Sequence, residues 1–208
     1  MRLRRVEPEY ANRVVVRRRA FPLELLRGEG PPRDILEQEW WLAALQEPEA
    51  EFTPYPEGDW PETTLPAFEA AWAAARQNGG AAADFDLRIR RAFFAEGRNI
   101  GRREVLTALA EEAGLDVMRF ERDVASPAAR RAVEDEARLG REQFQVRGTP
   151  TLMLADGTRL SWAMAFPKIR DRRIVSMARM PCWGLGCDDA TRELFRRAAA
   201  TGSDGGPV

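Results

Sequence analysis

The sequence predicts an α/β chain in which a small mixed sheet is interrupted by a large inserted helical subdomain. Three observations carry that expectation. A β-branched run, Val14-Val15-Val16, opens a short segment closed by Pro22. Apolar residues then recur at helical spacing through 63–145. Beyond position 150 the period falls to two around Asp156-Gly157, a strong hairpin signal. The order strand, helical block, hairpin, helix fits a sheet whose strands flank an insertion. Residues 12–30 and 146–200 are assigned to the sheet domain, 31–145 to the helical subdomain and 201–208 to a flexible Gly/Ser-rich tail.

Each element has its own reason. Residues 1–11 carry one short apolar pair before Pro8, too little for a packed helix. Val14 to Phe21 reads as a strand, and Gly28 to Pro32 as a loop. Pro32 opens a helix through Leu45, whereas Pro48, Pro54, Pro56 and Pro61 leave 46–62 irregular. Thr63-Thr64 caps a helix over Leu65 to Gln77 with Leu65, Phe68, Trp72 and Ala75 on its inner stripe, and Asn78-Gly79-Gly80 stops it. The next helix covers 81–95 and buries Phe85, Ile89, Ala92 and Phe93. Another covers 102–113 with Val105, Leu106, Leu109 and Ala110 inward and Gly114 as its stop. A short helix spans 117–124, and Ser126-Pro127 starts a longer one to about Phe144. Thr151 to Ala155 and Thr158 to Met164 form the hairpin, Arg173 to Met177 a further edge strand. Ala190 to Ala200 is the last helix, with acidic residues leading into it and Arg196-Arg197 near its end, as the helix dipole favours.

Composition removes many functions. The 208 residues hold 32 basic and 33 acidic side chains for a net charge of −1, so no global field draws the chain to nucleic acid. Lys168 is the only lysine, and the arginines are spread along the chain. Histidine is absent, which excludes Ser-His-Asp and Cys-His nucleophile pairs and any imidazole metal site. No apolar run reaches ~18 residues, and Met1 is followed by charged residues rather than a signal peptide, so no membrane association is expected and the expected compartment is the cytoplasm. Trp40, Trp41 and Trp60 could line a groove, although aromatics at helical spacing are more often core. Arg17-Arg18-Arg19 would alternate faces on a strand, and Glu134-Asp135-Glu136 reads as a solvated helix face.

The segment Val146-Arg147-Gly148-Thr149-Pro150-Thr151-Leu152 resembles the cis-proline loop of the thioredoxin superfamily in its DsbA-like branch. Upstream, Ala92 to Ile100, Leu106 to Asp116 and Phe120 are similar to the helical insertion of that branch. The resemblance spans about 14–160 and is closest to the FrnE-like disulfide oxidoreductases. It implies a thioredoxin-like (DsbA-type) fold, action on protein or peptide thiols, glutathione as a redox partner and no other cofactor or metal. It also implies that Thr149 and Pro150 position substrate, an exposed turn there being able to hold an extended peptide by strand-like hydrogen bonds. In the family the active site is a Cys-x-x-Cys at the start of the first helix, and this chain has none. Only 13 residues precede Val14. Residues 1–11 are therefore expected to be the end of that helix, with the natural start further upstream, the first strand missing, the activity impaired and stability reduced by unpaired strand edges.

The chemistry left is the pair Cys182 and Cys187, spaced Cys-Trp-Gly-Leu-Gly-Cys. Disulfide geometry requires Cα atoms ~4.4–6.8 Å apart, and two glycines make such a turn feasible. Three readings stand: an accessory redox couple, a static clasp before the last helix, and two small buried hydrophobes. If redox-active, Cys182 and Cys187 are the catalytic residues of this chain. Two further functions compete with the oxidoreductase: a non-catalytic peptide-binding module using the Pro150 loop, and a glutathione-dependent transferase or isomerase relative.

Overall fold

The computed structural model describes residues 1–30, 32–160, 165, 167–179, 182 and 186–201. Its described residues fall into two compact units, one of Met1–Arg18, Pro32–Ala50 and Val146–Val208, the other of Arg19–Pro31 and Glu51–Gln145. These boundaries differ from the expected ones in two segments: 32–50 joins the unit that holds the strands, and 19–30 joins the helical unit. The tail at 202–208 and the hairpin residues 161–164 lie outside the described residues.

The helical unit contains α2 (Leu23–Arg27), α4 (Leu65–Ala75), α5 (Gly79–Phe94), α6 (Arg103–Glu112), α7 (Val117–Ala125) and α8 (Pro127–Glu142). Helix α4 packs against α5, α6, α7 and α8, which explains why its buried face differs from the expected stripe. Leu65, Ala67, Ala70, Ala73 and Ala74 are buried, Phe68 and Trp72 are half-buried, and Ala75 is exposed. A helix enclosed by four others presents its small residues to them, because only short side chains permit close approach. Phe85 and Phe120 meet edge to face at 5.3 Å beside the buried Leu106, Leu109 and Val133. Asn78, expected to stop α4, caps α5 instead, accepting from the amides of Gly80 and Ala81. Asp116 accepts from the Arg119 amide to cap α7, and Ser126 accepts from the Ala128 amide to cap α8.

Thr64 makes no side-chain cap to α4. Thr63 does serve the N-terminus as expected, its Oγ1 accepting from the Leu65 amide at 3.2 Å, and Glu24 adds to it, its carboxylate accepting from the Thr64 amide at 2.9 Å and from the hydroxyls of Thr63 and Thr64 at 2.7 and 2.6 Å. An acidic group there also complements the helix dipole. Before α4, the proline-rich loop packs Tyr55 and Trp60 on Phe93. Gly97 passes this loop with φ +62°, and a Cβ there would lie 2.4 Å from Pro56 Cδ.

The other unit contains α1 (Arg2–Val6), a 3-10 turn (Glu7–Tyr10), α3 (Arg33–Gln46), strands β1 (Leu152–Met153), β2 (Arg159–Leu160), β3 (Pro167–Arg170) and β4 (Arg173–Met177), and α9 (Gly186–Thr201). The expected mixed sheet takes the form, among the described residues, of two antiparallel ribbons, β1 with β2 and β3 with β4. The strand expected at 14–21 carries no ladder. Its sidedness survives: Val14 and Val16 pack against Val6, Tyr10 and Phe195, whereas Val15 is 80% exposed. The β3–β4 ribbon turns through Asp171 and Arg172, at φ +50° and +60° as a type I′ turn requires. Asp171 suits the first of these positions but no Gly follows it, so the sequence carries only half of the turn signal and β3 goes unpredicted.

Residues 1–11, expected to be too apolar-poor to pack, form α1 and the 3-10 turn with Val6 and Tyr10 buried on Phe195 of α9. The Tyr10 and Phe195 rings lie 5.1 Å apart. At the end of α3, the buried Gln46 brackets one backbone residue: its Oε1 accepts from the Ala165 amide at 2.8 Å and its Nε2 donates to the Ala165 carbonyl at 3.0 Å. Arg2 Nη2 donates to the Gln46 carbonyl at 2.6 Å.

Candidate functional site

Cys182 and Cys187 form a disulfide with Cα atoms 5.1 Å apart. This removes the reading of two reduced, quiet hydrophobes. The last helix starts four residues earlier than expected, so Cys187 lies within the first turn of α9 rather than before it. Cys187 is fully buried and Cys182 is half-buried. Gly184, one of the two glycines expected to shape the loop, lies outside the described residues, and Gly186 is the first residue of the helix.

A charged cluster surrounds the start of α9. Arg5 Nε and Nη2 donate to the two carboxylate oxygens of Asp188 at 2.9 and 2.8 Å, a bidentate pair. The same guanidinium donates twice to Glu47 at 3.0 Å and once to Glu49. Arg2 Nε lies 3.5 Å from Glu47. Further along α9, Arg192 donates to Glu9 and to Asp189. The hydrogen bonds from Arg5, opposed by burial, hold the Asp188 carboxyl below its usual range. Arg5 is pushed up, first by its bonds to Asp188 and then by those to Glu47, whereas burial pulls Arg2 down. Sequence reasoning noted Asp188 as an acid beside the helix N-terminus but missed Arg2, Arg5 and Gln46. Arg5 lies 183 residues from Asp188. No local spacing could have joined them.

The second pair of predicted site residues sits on another element. The Thr149–Pro150 peptide bond is cis, and both residues are exposed in the turn that leads into β1. Thr151 Oγ1 donates to the Gly148 carbonyl at 2.6 Å across that turn. Helix α9 packs on α1 and the 3-10 turn, while β1 pairs with β2. Trp40 is buried and Trp60 packs on Tyr55 and Phe93, as core residues do; Trp41 is exposed. Glu136, part of the expected solvated acidic face, accepts from the Ala20 amide and from Arg19. A cleft of about 260 Å³ in the helical unit, lined by Phe21, Pro22, Leu25, Leu26 and Ala137, contains none of the predicted site residues. Among the described residues, no three His, Cys, Asp or Glu side chains are grouped to hold a metal, and no helix is long and apolar enough to cross a membrane.

A family model described as thioredoxin matches residues 58–171, more than half of the chain. The chain is 32% identical over 96 residues to the uncharacterized protein YwbO of Bacillus subtilis (strain 168), a match covering 46% of each. The alignment thus spans about half the length of that curated relative. Among solved structures, the cytosolic disulfide reductase DsbM from Pseudomonas aeruginosa superimposes with a TM-score of 0.56 over 96% of this chain and 92% of that one, at 22% identity. The same reductase with GSH aligns over 48% of this chain and 50% of that one, at 32% identity and a TM-score of 0.40. The longer superposition shows a shared fold.

Proposed function

The chain belongs to the thioredoxin family and has its DsbA-like fold, and on that premise we propose that it is a thiol-disulfide oxidoreductase of the FrnE-like type acting on protein thiols. The observation that carries this reading is the disulfide between a half-buried Cys182 and a buried Cys187 at a helix start. A thiolate on a substrate attacks the Cys182 sulfur and forms a mixed disulfide, and the helix dipole favours the departing thiolate. Thr149 and Pro150, exposed in their turn, hold the substrate backbone. With no Cys-x-x-Cys in the chain, turnover is slower than in relatives that have one. The cytoplasm is the proposed compartment and glutathione a candidate redox partner, readings supported by the description of DsbM as a cytosolic reductase and by its structure with GSH.

The test is reduction of insulin by dithiothreitol, followed by turbidity. The chain is expected to accelerate it, and Cys182→Ser and Cys187→Ser are each expected to abolish the acceleration. A rate equal to that of dithiothreitol alone, from folded protein, overturns the proposal.

A further inference from the structure

We infer that Arg5 is a positioning residue for the Cys182–Cys187 pair: by gripping Asp188 with two hydrogen bonds it cancels the negative charge that would otherwise oppose a thiolate on Cys187. The inference rests on the oxidoreductase reading above and assigns roles within it. Cys182 is the sulfur attacked and Cys187 the sulfur that leaves, because Cys187 is fully buried and Cys182 is not.

The electron count is that of two exchanges. A substrate thiolate attacks Cys182 Sγ; the bond to Cys187 Sγ breaks and its electron pair leaves on Cys187 as thiolate. A second substrate thiol, deprotonated by solvent, attacks the substrate sulfur of the mixed disulfide and expels Cys182 as thiolate. The substrate dithiol becomes a disulfide, two electrons pass to the cysteine pair, and the two protons lost by the substrate are returned through water to Cys182 and Cys187.

The thiolate on Cys187 depends on what surrounds it. The first turn of α9 contributes its unpaired amides and positive dipole end, which favour an anion. Asp188, next in sequence and only 6% exposed, disfavours it. Asp189 also lies in that turn, but it is exposed and paired with Arg192, which also holds Glu9 of the 3-10 turn. From α1 come Arg2, Arg4 and Arg5; from the end of α3 come Glu47 and Glu49. Within this set Arg5 donates two hydrogen bonds to Asp188 while Arg192 and Arg2 add charge attraction, so the charge felt at Cys187 depends first on the Arg5 pair. Glu47 and Glu49 fix the guanidinium from its other side and keep it in register with the carboxylate.

The experiment uses reduced Cys182→Ser protein, in which Cys187 is the sole thiol, and follows the Cys187 thiolate against pH by its ultraviolet absorbance, which needs no reagent to reach the buried sulfur. Adding Arg5→Gln is expected to raise the midpoint by about one pH unit, a roughly tenfold loss of thiolate at neutral pH. Adding Asp188→Asn is expected to lower it, and the two together to return it close to the starting value. Arg5→Lys, which keeps the charge but not the fork, is expected to fall between. An unmoved midpoint in Arg5→Gln with circular dichroism intact overturns the assignment. So do shifts of the same sign in Arg5→Gln and Asp188→Asn, the mark of a loosened helix. Where Arg5→Gln fails to fold, Asp188→Asn decides alone: no fall in its midpoint overturns the inference. The insulin assay on wild-type protein separates the two claims, since lost turnover with shifted midpoints overturns the function and leaves the electrostatic role standing.

Discussion

Gly97 shows how much a single position can decide. Its φ of +62° is disfavoured for L side chains, and the space a Cβ needs is taken by the Pro56 ring. Gly97→Ala is expected to cost about 2 kcal/mol through both effects, read as a fall in the urea midpoint with an unchanged slope. Gly101→Ala is a milder comparison, because its Cβ would meet Asn99 Oδ1 and the Thr63 carbonyl at 3.0 Å without a positive φ. At this scale the sequence was legible wherever one residue implies one conformation. Ser126-Pro127 and Gly114 stand where expected, as N-cap with N1 proline and as a positive-φ stop. Asn78 did not, because a side chain that can end one helix or begin the next is resolved only by which amides come within reach of it.

Helices show the same division between local and distant causes. Phe85, Ile89, Ala92 and Phe93 of α5 are buried as the spacing predicts, since α5 offers one face to a core. For α4 periodicity selected Phe68 and Trp72 and missed the alanine face, because enclosure by four neighbours is a tertiary fact. Helix α9 is the element on which charge bears most directly. Arg5 holds the Asp188 carboxyl below its usual range in the folded chain, while in the unfolded chain it titrates near ~3.9. The stability this pair contributes is therefore complete above the unfolded value and is lost as pH falls through the folded one. Thermal melts from pH 6 down to pH 2 are expected to show wild-type more stable than Asp188→Asn by a constant margin above about pH 5, and the margin closing in acid. A margin that stays constant to pH 2 would show that the pair is not coupled to folding.

Across the molecule, the two units are built from different kinds of contact. The helical unit buries Phe85, Leu106, Leu109, Phe120 and Val133 almost completely. In the other unit, the described strands pair only as two-stranded ribbons, an arrangement of marginal stability by itself. Amide exchange at β1–β4 is expected to be at least tenfold faster than in α5 and α6; equal protection would mean that the strands share the stability of the helical core. Fold class was readable because periodicity is a local property, and it changes character at the hairpin. The candidate site was readable only in part. Cys182 and Cys187 are five residues apart and announce themselves, whereas the arginine bonded to Asp188 lies at the opposite end of the chain.

Gln46 carries a last consequence. A carboxamide has the same donor and acceptor as a peptide group, and here it satisfies both polar groups of Ala165 at once. Unlike a peptide group it has no successor, so it can close off one residue's backbone without prolonging a ladder. Replacing Gln46 by an apolar residue would leave the amide and carbonyl of the buried Ala165 without these two partners, a cost read as lost stability.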